Sequence, residues 1–191
     1  MPNLVWIDTE TTGLDENWPT GQILEIGCVI TDSELNELDA YSVVIHASEE
    51  VLANMEPVAG QMHAKNGLTE ACRQATITQT EAEAEVLAFI SQYVAPKESA
   101  LWGNSITHDR NFLKAYMPTV FNHLHYRMMD VSSDKIKAQL WYTDVPHFKK
   151  AETHRTQDDI RESVAELRYY RKHIMQPPTI QMDEASGPSV A

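Results

Sequence analysis

Cysteine is scarce in this chain of 191 residues. Cys28 and Cys72 stand far apart with no CxxC pair, which argues against a disulfide scaffold and a structural zinc. Long apolar runs are missing as well. None approaches the roughly 18 residues of a membrane-spanning helix, so no membrane partner is expected. The N-terminus has no basic stretch followed by a long apolar one, and the expectation is a cytoplasmic protein. Positive charge is also in short supply: 15 Lys and Arg face 28 Asp and Glu, a net charge of −13 with the eight His neutral. A chain this acidic repels long polyanions unless something cationic intervenes. What is present is enough for a globular core, since 42% of residues are hydrophobic and only 23% charged.

The chain shows no internal repeat and no Gly/Ser-rich linker before about residue 175. A domain over 1–175 is expected, followed by a disordered tail over 176–191 that opens on Gln176-Pro177-Pro178 and lacks periodicity. Asn3–Ile7 reads as a strand buried on both faces, residues 22–31 as a second, and Tyr41–Ile45 as a third, together an antiparallel meander. From about 48 to 98 the pattern is helical, with Ala82, Val86, Phe89 and Ile90 on one apolar face. Short strands follow at 100–102 and around Tyr126–Val131. Between them a helix runs through Phe112 and Tyr116 and stops near Pro118; two more helices are expected at 133–141 and 157–174. This order predicts an α/β fold, a mixed five-stranded sheet flanked by helices.

Three acidic segments could carry chemistry. Asp8-Thr9-Glu10 falls where the first strand should end, and residues i and i+2 of a strand face one side. Two carboxylates projecting together repel unless a cation lies between them; equally, an isolated DxE suits a solvated turn. Gly103–Asp109 is a strand–turn–helix junction, where Ser105 or Thr107 would cap the helix and Asp109 would complement its dipole. His154-Arg155-Thr156-Gln157-Asp158-Asp159 precedes the last helix, whose first turn also favours acids. Together, four acids and one His at separate strand and helix ends match two-metal phosphodiester hydrolysis. Two divalent cations about 4 Å apart would activate water and stabilise the leaving oxygen. Hard Mg2+ or Mn2+ prefers carboxylate and water oxygens. A His titrating near neutrality can take the proton of the attacking water.

Asp8-Thr9-Glu10-Thr11-Thr12-Gly13-Leu14, Asp109, and His154 with Asp159 five residues on resemble the DEDDh 3′→5′ exonucleases. The resemblance implies a ribonuclease H-like domain. It implies Asp8, Glu10 and Asp159 as direct ligands of two Mg2+ or Mn2+ ions, Asp109 as the fourth acid, and His154 as the general base. Asp159, not Asp158, has the family's spacing from the His. Within that superfamily Gly103-Asn104-Ser105-Ile106, Tyr116-Met117-Pro118, His125-Tyr126-Arg127, Asp130-Val131-Ser132 and Asp158–Val164 are similar to the oligoribonuclease family, over about residues 3–174. That resemblance implies a homodimer that degrades very short RNA, down to dinucleotides, to 5′-mononucleotides. Leu14 would wedge between the two bases, and Ser105, Arg127 and Ser132 would hold the 5′ phosphate. Tyr126 would reach the base from the partner protomer, and His63 would lie along the substrate.

The family usually has Leu and Met where this chain has Thr9 and Thr11. The aromatic expected to stack a base falls on Val58, a contact worth roughly 1–3 kcal/mol per base. Trp18 is the candidate substitute. Other readings are a proofreading-type or general exonuclease on longer single strands, and an inactive binding module of the same fold. Met55, Met62, Met128 and Met129 read as packing residues, and Arg161, Arg168, Arg171 and Lys172 as a solvated helix face. The acidic balance fits a short substrate, which presents few phosphates, and no stable complex with long nucleic acid is expected.

Overall fold

The computed structural model describes residues 3–17, 20–149 and 155–175. Five strands, β1 (Leu4–Thr11), β2 (Ile23–Thr31), β3 (Glu37–Val44), β4 (Leu101–Gly103) and β5 (Met128–Asp130), form one sheet in the order β3-β2-β1-β4-β5. β1, β2 and β3 pair antiparallel, while β4 runs parallel to β1 and β5 parallel to β4. The mixed five-stranded sheet is therefore as expected. β1 is longer than its apolar run, because pairing with β2 continues through Asp8, Thr9, Glu10 and Thr11. β3 likewise begins earlier, at Glu37.

The helical region between β3 and β4 is four helices: α1 (Glu49–Ala53), α2 (Pro57–Lys65), α3 (Leu68–Gln74) and α4 (Gln79–Ser91). Only α4 is long, and its start is set by Thr78 and Glu81, which form a capping box. After β4 come α5 (Thr107–Tyr116) and α6 (Pro118–His123); after β5 come α7 (Val131–Trp141) and α8 (Thr156–His173). Pro118 ends α5 as expected, yet it also opens α6, as a proline at the first helical position can. Ser105 and Thr107 do not cap α5. Its N-cap is Ile106, with no side-chain cap, and Ser105 itself adopts φ 56°.

Alternation along the central strands fills two cores. Val5, Ile7, Ile26 and Cys28 pack on α4, α5 and α6 through Val86, Ile90, Phe112, Leu113 and Val120. Trp6 and Val29 face the other way, onto Val131 of α7 and Ile160, Val164 and Leu167 of α8. The basic face of α8 is not simply solvated. Arg161 forks onto Glu37, and Arg171 reaches Ser33 O and Glu34, tying the helix to the β2–β3 hairpin. Its N-terminus comes close to the sheet at Gly27, where an added Cβ would lie 2.5 Å from Thr156 Oγ1. Gly27 is the residue paired with Asp8, so the missing side chain brings the start of α8 down beside Asp8. His154, Trp18 and the 176–191 tail lie outside the described residues.

Candidate active site

Asp8 and Glu10 stand two apart on β1, and Asp159 comes from the first turn of α8. Ligand oxygens of all three lie within 4.8 Å of one another. Glu10 is buried, and its carboxyl is pushed up to about 8. Burial is the main cause, followed by repulsion from Asp159, Glu25 and Asp109, while Arg155 pulls the other way. Three crowded carboxylates with no thiolate or imidazole in the group are a donor set for a hard divalent cation, whose charge would relieve the repulsion.

Asp109 is not a member of that trio. It is buried, and its Oδ1 accepts from both the backbone N–H and the hydroxyl of Thr9, each at 2.8 Å. Burial raises its carboxyl above the ordinary range and the Thr9 hydrogen bonds oppose that rise. Behind Glu10, His63 is fully buried, with Nε2 at 2.8 Å from Thr11 O and Nδ1 at 3.8 Å from Glu10 Oε2. In this position His63 buttresses Glu10. It has no open face toward a ligand.

On the other flank, Glu25 pairs with Glu10 in the strand register. Arg155, at the N-cap of α8, donates to it through two nitrogens at 3.0 Å. Sequence reasoning passed over Glu25, although an acid inside the otherwise apolar stretch of β2, buried at every position, is a readable signal. Asp158 is the helix-start acid and lies 3.7 Å from Arg161.

A cleft of about 310 Å3 opens beside Glu10, lined by Thr9, Glu10 and Thr11, by Leu14, and by Val58 and Met62 of α2. Leu14 and Val58 are each 79% exposed. Met62 is thus a cleft residue rather than interior packing, whereas Met55 does pack beneath α1–α3. Glu56 and His108 also line the cleft and were not singled out from the sequence.

Ser105 and Ser132 are brought together by Asp130, whose Oδ1 accepts from both backbone N–H groups at 2.9 Å and from the Ser132 hydroxyl. Asn104 next door donates to the buried Glu166 at 2.7 Å, which also accepts from Tyr170. Tyr126 and Arg127 are both exposed, the guanidinium 5.3 Å from the ring centroid. Met128 and Met129 are exposed on β5 at the sheet edge rather than packed.

Fold and acid trio together define an exonuclease-type α/β domain. The profile of the Exonuclease family, RNase_T, matches residues 5–167. Among curated proteins, the oligoribonuclease of Pseudomonas syringae pv. tomato is 47% identical over 176 residues, covering 92% of this chain and 97% of that protein. That of Pseudomonas aeruginosa is 46% identical over 175 residues, covering 91% and 96%. This chain belongs to the oligoribonuclease family. Among solved structures, exonuclease I of Methylocaldum szegediense shares the fold at a TM-score of 0.64 and 16% identity, and a zinc-bound E. coli exonuclease I–ssDNA complex at 0.65 and 14%. The chain spans 42% of the length of each of those two. Among the described residues no helix is long and apolar enough to cross a membrane.

Proposed function

We propose that this chain is a 3′→5′ exoribonuclease that hydrolyses very short RNA, down to dinucleotides, to 5′-mononucleotides. The observation that carries the reading is the carboxylate trio of Asp8 and Glu10 on a central strand with Asp159 of α8, of which Glu10 also lines a small, largely apolar cleft. The trio would hold two Mg2+ or Mn2+ ions, with Asp109 as the fourth acid. When bound, such ions neutralise the scissile phosphate and acidify water.

The remaining work falls to side chains of this chain. His154 takes the proton of the attacking water as general base. Leu14 separates the two bases at the lip of the cleft, which Val58 also lines, offering aliphatic contact in place of an aromatic face. Ser105, Ser132 and Arg127 receive the 5′ phosphate. Asp130 holds the first two in place, and Arg127 supplies the charge. His63 acts through Glu10 rather than on the substrate.

The working form is a homodimer. Its support is the apolar surface left on one edge of the molecule: Tyr126, Met128 and Met129 at β5 with Ile136, Leu140 and Trp141 on α7, all exposed in the single chain. In that dimer Tyr126 serves the site of the partner subunit. A cytoplasmic setting agrees with two buried free thiols.

Initial rates with Mn2+ on 5′-phosphorylated RNA of two, five and twenty nucleotides test the reading. The dinucleotide should be cleaved fastest. Equal rates on the twenty-nucleotide strand would make the protein a general exonuclease, and absence of hydrolysis on all three an inactive binding module.

A further inference from the structure

Leu14 is among the most exposed apolar side chains described, yet its backbone is held from both sides of the cleft. On one side Glu56 Oε1 accepts from the N–H of Leu14 at 3.0 Å and of Asp15 at 3.3 Å. Glu56 is itself anchored at the start of α2, where its own N–H reaches Thr12 O at 2.8 Å. Its carboxylate sits over Gly13, where an added Cβ would lie 2.4 Å from Glu56 Cδ. On the other side the His108 ring, from the first turn of α5, packs on Phe112 at 4.8 Å and stands 3.1 Å from Thr11 Oγ1, whose hydroxyl donates at 2.7 Å to Gly13 O, the carbonyl of the peptide leading into Leu14. Tyr116, further along α5, donates to Glu16 O at 2.7 Å.

An exposed turn normally loses conformational freedom when a ligand settles against it, and that loss weakens binding. Here the ordering is completed by side chains from two different helices before any ligand arrives. We infer that Glu56 and His108 are positioning residues that hold Leu14 at a fixed place in the cleft, and so set the affinity for the shortest substrates. The inference rests on the proposed role of Leu14 between two bases. A dinucleotide has no further bases with which to make up for a displaced Leu14, whereas a longer strand has. Losing the clamp should therefore weaken dinucleotide binding most.

The test is equilibrium binding of 5′-phosphorylated diribonucleotide and pentaribonucleotide, with Ca2+ in place of Mn2+, alongside kcat with Mn2+. Glu56→Ala should raise the dinucleotide Kd about 10-fold and the pentanucleotide Kd about 2-fold, with kcat changed less than about 2-fold. Glu56→Gln keeps the accepting oxygen and should stay within about 2-fold of the wild type. In a Leu14→Ala background, Glu56→Ala and His108→Ala should each add nothing further, because they act through the side chain already removed. Multiplicative losses, equal losses on both substrates, or a fall in kcat with unchanged Kd would overturn the clamp. Wild-type binding without hydrolysis would instead overturn the proposed function while the clamp is still scored on Kd. No wild-type binding of the dinucleotide would overturn both.

Discussion

Thr9 places two donors, its N–H and its hydroxyl, on one oxygen of Asp109, joining β1 to α5 across 100 residues of sequence. The oligoribonuclease family usually has Leu at this position. The threonine hydroxyl gives a buried carboxylate a second charge-assisted hydrogen bond that a leucine cannot supply. The departure therefore has a structural consequence, the locking of Asp109.

Thr9→Val keeps the shape and the backbone donor but deletes the hydroxyl. A hydrogen bond to a charged group is worth about 1.5–3 kcal/mol. At roughly 2–4 °C per kcal/mol for a chain of this size, the melting temperature should fall by several degrees. Turnover of the dinucleotide should fall by about 10-fold as Asp109 loses one of two bonds fixing its orientation. Thermal melts and steady-state rates check both.

Asp159→Asn should abolish hydrolysis and, independently, abolish stabilisation by the metal. An ion at 100 times its Kd stabilises a folded protein by about 2.7 kcal/mol, which should raise the wild-type melting temperature by roughly 5–10 °C. The variant should show no such rise with Mn2+. Without metal it should melt above the wild type, because one of three mutually repelling carboxylates is gone.

His154→Ala should slow dinucleotide hydrolysis by about 10²-fold or more. Its melting temperature should still rise with Mn2+ as in the wild type. Near-wild-type turnover would reject the general-base assignment.

Arg155→Ala strands the buried Glu25 carboxylate next to Glu10. The arginine is about half exposed, so the loss should be about 2–3 kcal/mol, below the 3–5 of a wholly buried pair. Replacing both partners, as Arg155→Ala with Glu25→Leu, should recover much of that loss, since no charge is then left unpaired. Chemical denaturation of the two variants against the wild type decides the point.

Asp32 organises the β2–β3 turn by accepting from the N–H groups of Glu34 and Asn36, both at 2.8 Å, and from the Asn36 side chain at 2.9 Å. These bonds hold its carboxyl below the ordinary value. A depressed folded-state value means the stabilisation is fully present above the unfolded value of about 3.9 and is lost as pH falls through the folded one. Asp32→Ala should therefore melt below the wild type at pH 7, and the gap should narrow below about pH 4. Melts over a pH series check the sign.

Much of the sheet was legible because strands announce themselves locally. Apolar runs locate β1 and β2, and a period of two is enough to put Asp8 and Glu10 on one side. The end of β1 was not legible, because Thr9 and Thr11 are polar and only pairing with β2 shows that the strand continues. The short helices α1, α2 and α3 escaped for a related reason. None exceeds nine residues, too few for a helical period to stand out, and α1 and α3 are held by packing around Leu24, Leu52, Leu68 and Cys72.

The site divides in the same way. By itself the sequence determined which acids were available, and its motifs, through family resemblance, pointed to phosphodiester hydrolysis. Residue type and strand spacing are properties of the chain alone. Only the tertiary structure decided that α8 descends at Gly27 to bring Asp159 against Asp8, that Asp109 stands apart on Thr9, and that His63 backs Glu10 from the interior. It also decided that Glu56 accepts from the Leu14 N–H and that His108 stands against Thr11. Each of these depends on where a distant element comes to rest, which is set by close approach and packing in three dimensions and leaves no periodic trace along the chain.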